Sequence, residues 1–186
     1  NIMFDPIFSG ELVRLTPPHA DDQEQFALWT HDDDYMRLLD DDPVRPQSSS
    51  SFASFSEATK NDDFYFHLRT LKEGQLIGFV ALFNLKWRNQ TAELAIGVGA
   101  PEFRARGYGR DALSIILNYA FSELCVHRVS LTVMSYNARA IKAYESVGFQ
   151  QEGIHRQAIR RGDQRHDLIL YGILREEWQR LRAPSG

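Results

Sequence analysis

The chain has 186 residues, 43% of them hydrophobic, with 21 Lys and Arg against 25 Asp and Glu and a net charge of −4. That length carries a real core and is most simply one domain. The acidic balance, with no basic tail or basic repeat, disfavours a dedicated nucleic-acid binder, because phosphate neutralisation is the main source of that affinity. No apolar run approaches a membrane span. The start, Asn1-Ile-Met-Phe-Asp, shows no basic segment followed by an apolar one and suggests a trimmed or tagged terminus. One cysteine, Cys125, excludes an internal disulfide framework and fits a reducing cytoplasm.

Residues 10–16, Gly-Glu-Leu-Val-Arg-Leu-Thr, alternate as a short strand that Pro17-Pro18 stops. From Ala20 to Trp29 the apolar spacing turns helical, with Phe26 and Trp29 on one side. His31-Asp-Asp-Asp and Asp40-Asp-Asp then flank Tyr35-Met-Arg-Leu-Leu, a short helix with acidic ends. Pro43, Pro46 and serines 48–51 mark a flexible loop, and Phe52–Lys60 reads as another short helix. Beyond it Phe64–Leu71 and Leu76–Phe83 form a hairpin across Lys72-Glu-Gly74, and Asn84–Gln90 make a second turn into a strand over 92–98. A helix over 107–122 and a strand over His127–Val133 follow. Asn137 caps a helix that runs to about Val147, with Gly148 placed as its left-handed C-cap. Two last strands, Phe149–Ile159 and His166–Ile173, pair across Arg160-Arg-Gly-Asp, and Arg175–Leu181 is a terminal helical turn. The pattern is one mixed α/β domain with about seven strands and no internal repeat or inter-domain linker.

One stretch carries chemistry. The apolar run Leu94–Val98 is followed by a turn, by Arg104-Ala105-Arg106-Gly107-Tyr108-Gly109-Arg110, and then by Ala112, Leu113, Ile116, Tyr119 and Ala120 on one helix face. Strand, glycine-interrupted basic loop and amphipathic helix make an anion site, since first-turn N–H groups lack partners and the macrodipole adds positive charge there. Gly107 and Gly109 allow close backbone approach, while Arg104, Arg106 and Arg110 supply full charge. Three arginines at a helix start oppose the dipole unless an anion arrives, a local conflict typical of a functional site.

Arg-x-x-Gly-x-Gly at 104–109 resembles the pyrophosphate loop of the GNAT N-acetyltransferase superfamily. Asn137-Ala-Arg-Ala-Ile-Lys-Ala-Tyr-Glu-Ser-Val-Gly-Phe149 is similar to that family's second segment and stands at the expected interval. The resemblance covers roughly residues 10–175 and is closest to the branch of ribosomal-protein N-terminal and spermidine acetyltransferases. It implies a single GNAT-like domain, with a mostly antiparallel mixed sheet splayed in the middle and flanked by helices. It also implies acetyl-CoA as co-substrate. Rival anion ligands fit less well: Gly97-Val-Gly99 lacks the third glycine of a dinucleotide site, and the Gly-Lys-Ser/Thr of a triphosphate loop is absent.

By the same resemblance, Ile96, Gly97, Val98 and Gly99 offer backbone groups to the pantetheine arm. Tyr144, seven residues after Asn137, gives a proton to the departing sulfur. A phenol of pKa ~10 is able to donate to a thiolate. Tyr108 packs beside the loop, and Asn137 is either a helix cap or a direct coenzyme contact. Glu93, eleven residues before Arg104, is the candidate base, because an acceptor ammonium must lose a proton before it attacks. The alternative is a strand-start carboxylate in solvent, with ordered water as the base; Thr132 is unsuited, and His67 and Glu145 are outsiders.

The acidic residues 32–34 and 40–42 would attract a cationic acceptor, though such a run is more often a solvated face. No His or Cys spacing suits a metal, and none is expected. Cys125 is expected to be buried and not to act as a nucleophile. The reading is therefore an acetyl-CoA-dependent N-acetyltransferase acting on a protein N-terminus, a polyamine or a small amine. A non-catalytic acyl-CoA sensor of the same fold is the alternative. Homodimers are common in this branch, and no nucleic-acid or membrane partner is expected.

Overall fold

The computed structural model describes residues 6–60 and 63–183. Residues 1–5, whose sequence suggests the trimmed terminus, lie outside them. The chain forms seven strands: β1 (Val13–Thr16), β2 (Phe64–Thr70), β3 (Leu76–Lys86), β4 (Thr91–Val98), β5 (Arg128–Met134), β6 (Gln150–Arg161) and β7 (Gln164–Leu174). They lie in the order β1-β2-β3-β4-β5-β7-β6. Every neighbouring pair is antiparallel except β4 with β5.

That one parallel pair decides the function of the sheet. β4 and β5 meet only at Thr91↔Arg128, Ala92↔Val129 and Glu93↔Ser130, although both strands run on. β3 keeps its grip on the other side of β4 as far as Gly78↔Val98. The sheet therefore opens after Glu93, and the β5-facing edge of β4 continues without a strand partner.

The two faces are covered by different material. Val13, Leu68, Val80, Leu82 and Leu94 are at most 4% exposed. α3 (Tyr108–Asn118) packs on β1, β3, β4 and on α4 (Ala138–Ser146). On the other face, α1 (Gln23–Trp29), α2 (Asp33–Leu39) and a 3-10 run over Ser49–Lys60 cover the rings of Tyr65 and Phe79. Gly97 must be glycine here: a Cβ would fall 2.7 Å from Phe79, 2.7 Å from the Tyr35 hydroxyl and 2.9 Å from Leu39. α5 (Arg175–Arg182) lays Trp178 on Phe121, ring centroids 5.2 Å apart.

A buried polar knot fixes α1 to the sheet. His67 Nδ1 and Asp22 Oδ2 are 2.5 Å apart, and Arg69 donates to both Asp22 oxygens at 2.7 and 2.8 Å. His67 Nε2 is buried with no partner among the described residues. Burial lowers the His67 pKa although Asp22 pulls the other way, so the ring is held neutral.

Several local expectations are corrected. The helix expected over 107–122 ends as regular α-helix at Asn118 and closes with a wider π turn, in which Leu124 N–H donates to the Tyr119 carbonyl. Cys125 is exposed rather than buried: it sits at φ +54° where the chain reverses, and Val126 takes the inward position. β3 runs on to Lys86 through a bulge at Asn84, so the second turn is shorter than 84–90. The final hairpin turns on Gly162-Asp163 alone, and the serine-rich loop enters its 3-10 run at Ser49.

Candidate active site

Where β4 and β5 part, a cavity of about 650 Å³ opens. Ala95, Ile96, Gly97 and Val98 line it from β4, and Thr132, Val133 and Met134 from β5. A strand edge without a partner offers backbone N–H and C=O groups to an extended ligand.

At the top of β4 the chain makes a 3-10 turn over Pro101–Phe103 and then two left-handed steps, Ala105 at φ +57° and Gly107 at φ +89°. A non-glycine residue in that region is costly and marks a functional site when the surroundings enforce it. Gly107 is the N-cap of α3 and provides no side-chain cap. The one acid of the first turn, Asp111, faces away: its carboxylate accepts from the N–H groups of Glu11, Leu12 and Val13 at 3.1, 2.8 and 2.9 Å. The α3 terminus therefore keeps unsatisfied donors, the arrangement that holds an anion. Gly109 is under no demand from packing, since a Cβ there would meet only Val98 at 3.9 Å.

The three arginines separate in space. Arg110 lines the cavity. Arg106 is exposed and donates to the Glu102 carbonyl at 3.0 Å. Arg104 is already committed, contrary to its expected role as a free charge: Nε donates to the Val98 carbonyl at 3.0 Å, Nη2 to Gly99 at 2.6 Å and Nη1 to Asp32 at 3.0 Å. Its guanidinium also lies over the Tyr35 ring, 5.1 Å from the centroid. The Tyr35 N–H, and after it Arg104, holds the Asp32 carboxyl below the usual range. Gly99 is corrected likewise: its N–H donates to Ile77 and its carbonyl accepts from Arg104, while a Cβ would strike the Trp29 indole at 2.1 Å. Gly99 is a packing position.

α4 brings Arg139, Ala140, Ala143 and Tyr144 to the cavity. Tyr144 is 7% exposed, and burial pushes its pKa up to about 12, so the phenol is protonated throughout the neutral range. Asn137 uses both ends of its amide within the protein. Its oxygen accepts from Ala140 N–H at 3.2 Å and its nitrogen donates to the Leu38 carbonyl at 3.1 Å, which favours the cap and ties α4 to α2. Tyr108 packs edge-on against Phe103 at 5.0 Å, beside the loop.

Glu93 stands at the vertex of the splay, the last residue of β4 paired with β5. It accepts from Asn84 Nδ2 at 2.5 Å and is not among the cavity-lining residues. Asn84 reaches it from the β3 bulge, at φ +50°.

Two participants, Arg139 and Arg161, escape sequence reading, and a third, Asp40, is singled out there only as part of the 40–42 acidic run. Arg139 joins Arg110 on the basic wall, hidden inside a helix segment whose pattern is dominated by Asn137 and Tyr144. Asp40 lines the opposite wall at the C-terminus of α2. Arg161, from the distant β6 end, clasps that terminus: it donates to the carbonyls of Arg37, Asp40 and Asp42 and to the Tyr136 hydroxyl, which in turn donates to Arg37. Among the described residues no group of three or more His, Cys, Asp or Glu is arranged to hold a metal, and no helix is long and apolar enough to cross a membrane.

Comparison with known proteins agrees with this geometry. The profile of the Acetyltransferase (GNAT) domain matches residues 13–150. An uncharacterized SPbeta prophage-derived N-acetyltransferase of Bacillus subtilis, YokL, is 26% identical over 148 residues, 80% of this chain and 82% of that one. A spermidine N(1)-acetyltransferase of Vibrio cholerae is 36% identical over 78 residues, 42% of this chain and 44% of that one. The crystal structure of spermidine N-acetyltransferase from Vibrio cholerae in complex with CoA and spermine superposes with a TM-score of 0.80 at 22% identity, over 90% of this chain and 98% of that one, a likeness of fold. A splayed β4–β5 pair, an uncapped glycine-entered helix and the family profile over most of the chain together place this protein in the GNAT acetyltransferase family, as an acetyl-CoA-dependent N-acetyltransferase.

Proposed function

We propose that the chain acetylates a primary amine by direct attack on the thioester of acetyl-CoA, with no covalent enzyme intermediate. The observation that carries the reading is the convergence on one cavity of a partnerless strand edge, an uncapped helix N-terminus and a buried protonated tyrosine. The first-turn N–H groups of α3, helped by Arg110 and Arg139, receive the pyrophosphate. Backbone groups of Ile96, Gly97 and Val98 hold the pantetheine arm, and an N–H of this edge steadies the tetrahedral oxyanion.

The amine nitrogen bonds to the acetyl carbon, and the carbon–sulfur bond breaks as the tetrahedral adduct collapses. Tyr144 gives its hydroxyl proton to the sulfur, and of the two protons the ammonium loses, one returns through water to the tyrosinate and one goes to solvent. A phenol raised to about 12 is a weak acid, so Tyr144 acts chiefly as a hydrogen-bond donor that transfers its proton late, once charge has built up on sulfur. Glu93 reaches this path only through water, because its carboxylate is held by Asn84 at the vertex of the splay.

Titration calorimetry with acetyl-CoA, paired with a thiol-release assay, tests the reading. Saturable binding plus amine-dependent thiol release is the expected result. Binding without release for any amine would favour an acyl-CoA sensor, and a folded protein that shows no binding would overturn both.

A further inference from the structure

Resting on the acetyl-transfer reading above, we infer that the acceptor is a small primary amine with a single positive charge on an aromatic or alkyl body, and that Asp40 receives that charge. The wall built by α1, α2, the 49–60 run and strands β2 and β3 carries six rings: Phe26, Tyr35, Phe52, Tyr65, Phe79 and Phe83. Phe26 stacks on Phe52 at 5.8 Å and Tyr65 on Phe79 at 5.5 Å, so these rings form one packed apolar surface. Such a wall takes up the apolar body of a ligand.

The carboxylates are fewer than the acidic run suggests. Asp32 is consumed by Arg104 at 3.0 Å. Asp33 and Asp34 face Arg37 at 4.0 Å on the exposed side of α2. Among the described residues, Asp40 and Asp41 are the acids on the cavity wall, and they are adjacent. Asp40 is half-buried, and its side chain accepts from Asp42 N–H at 2.9 Å. Burial pushes its carboxyl pKa up. The nearest cation, Arg161, gives its hydrogen bonds to backbone carbonyls and the Tyr136 hydroxyl, not to this carboxylate. Asp40 is thus a half-buried carboxylate that feels Arg161 but makes no ion pair among the described residues, and an arriving ammonium group offsets its desolvation.

A second positive charge finds no such place. Beyond Asp40 and Asp41 the acceptor wall offers rings, aliphatic side chains and the uncharged Thr30 and Gln47, while Arg110 and Arg139 also line the cavity and Arg104 is already paired with Asp32. A polyamine threaded into the cavity would lay a charged nitrogen on apolar surface or against arginine. The 650 Å³ must also hold the thioester arm, which limits the acceptor to a compact molecule.

The test is steady-state kinetics of the full chain with acetyl-CoA and three probes: 2-phenylethylamine, hexylamine and spermidine. Either monoamine should exceed spermidine in kcat/KM by about ten-fold or more, the ratio that one misplaced charge commands. Asp40→Asn keeps the hydrogen bond from Asp42 N–H and should raise the KM for the monoamines by about ten-fold, with kcat and acetyl-CoA affinity little changed. Spermidine equal to or better than the monoamines would overturn the inference, as would an unchanged amine KM in Asp40→Asn. Absence of turnover with all three probes while acetyl-CoA still saturates the protein would also overturn it, and would leave coenzyme binding standing. Failure of acetyl-CoA to bind would instead remove the acetyl-transfer reading and the inference together.

Discussion

The wall made by residues 91–149 and the wall made by residues 6–60 enclose the same cavity by different means. The first relies on backbone: a strand edge left open by the β4–β5 splay, a left-handed step at Gly107 and an uncapped α3 terminus. The second relies on side chains that reach across the molecule. Asp32 is held by Arg104, the α2 carbonyls by Arg161, Tyr136 and Asn137, and α1 by the Asp22–His67–Arg69 knot. A backbone site suits a ligand that never changes, because it tolerates drift in side chains. A wall of side chains suits selectivity, because single substitutions alter it without disturbing the backbone wall opposite.

That contrast is open to direct attack. Tyr144→Phe is the most damaging change: kcat should fall by about 10²- to 10³-fold with acetyl-CoA affinity preserved, as single-turnover kinetics and calorimetry would show. Equal loss of turnover and affinity would mean that the ring, not the hydroxyl, is what matters. Gly109→Val should weaken acetyl-CoA binding by about ten-fold or more with little change in Tm, since the protein itself leaves room for the side chain. Unaltered affinity would move the pyrophosphate away from this loop.

On the other wall, Asp32→Ala removes the α2 N-cap and frees Arg104. Thermal denaturation should show a Tm lower by about 2–4 °C, and kinetics a raised amine KM at constant acetyl-CoA affinity. A matching loss of coenzyme affinity would erase the division between the walls. A gentler probe is pH. His67 titrates below its ordinary value in the folded state, so the unfolded chain binds more protons as pH falls. Its contribution is complete above about pH 6.5 and is lost progressively below it. The Tm should decline between pH 7 and pH 5 more steeply in the wild type than in His67→Asn, and parallel slopes would count against the knot. Glu93→Gln should be mildest, with kcat within about three-fold of wild type, because that carboxylate is not among the cavity-lining residues and is held by Asn84. A loss of a hundred-fold would restore it as the base.

How far each wall was legible follows from how local its physics is. The left-handed turn at Gly107, the Asn137 cap and the Gly148 C-cap at φ +106° each depend on a few consecutive residues, so their spacing announces them. Strands β1 to β5 and their approximate limits follow from apolar alternation or short apolar runs in the same way, whereas the largely exposed β6 is held by its hairpin to β7. Arg104 illustrates the limit: its charge looks free in the sequence, and its partner Asp32 lies 72 positions away. Cys125 looks buried beside apolar Leu124, until the chain reversal turns Val126 inward instead.

The sheet, the glycine-interrupted basic bend and the tyrosine-bearing helix are readable from the chain alone, because they rest on backbone preferences and short periodicities that neighbouring residues enforce. Which charges remain available is settled in three dimensions: Arg104 and Asp32 cancel each other, Glu93 is not among the cavity-lining residues, and Asp40 lines the cavity with no ion pair among the described residues. Charge availability is a property of pairs and of burial, and the chain brings those pairs together from opposite ends of the fold.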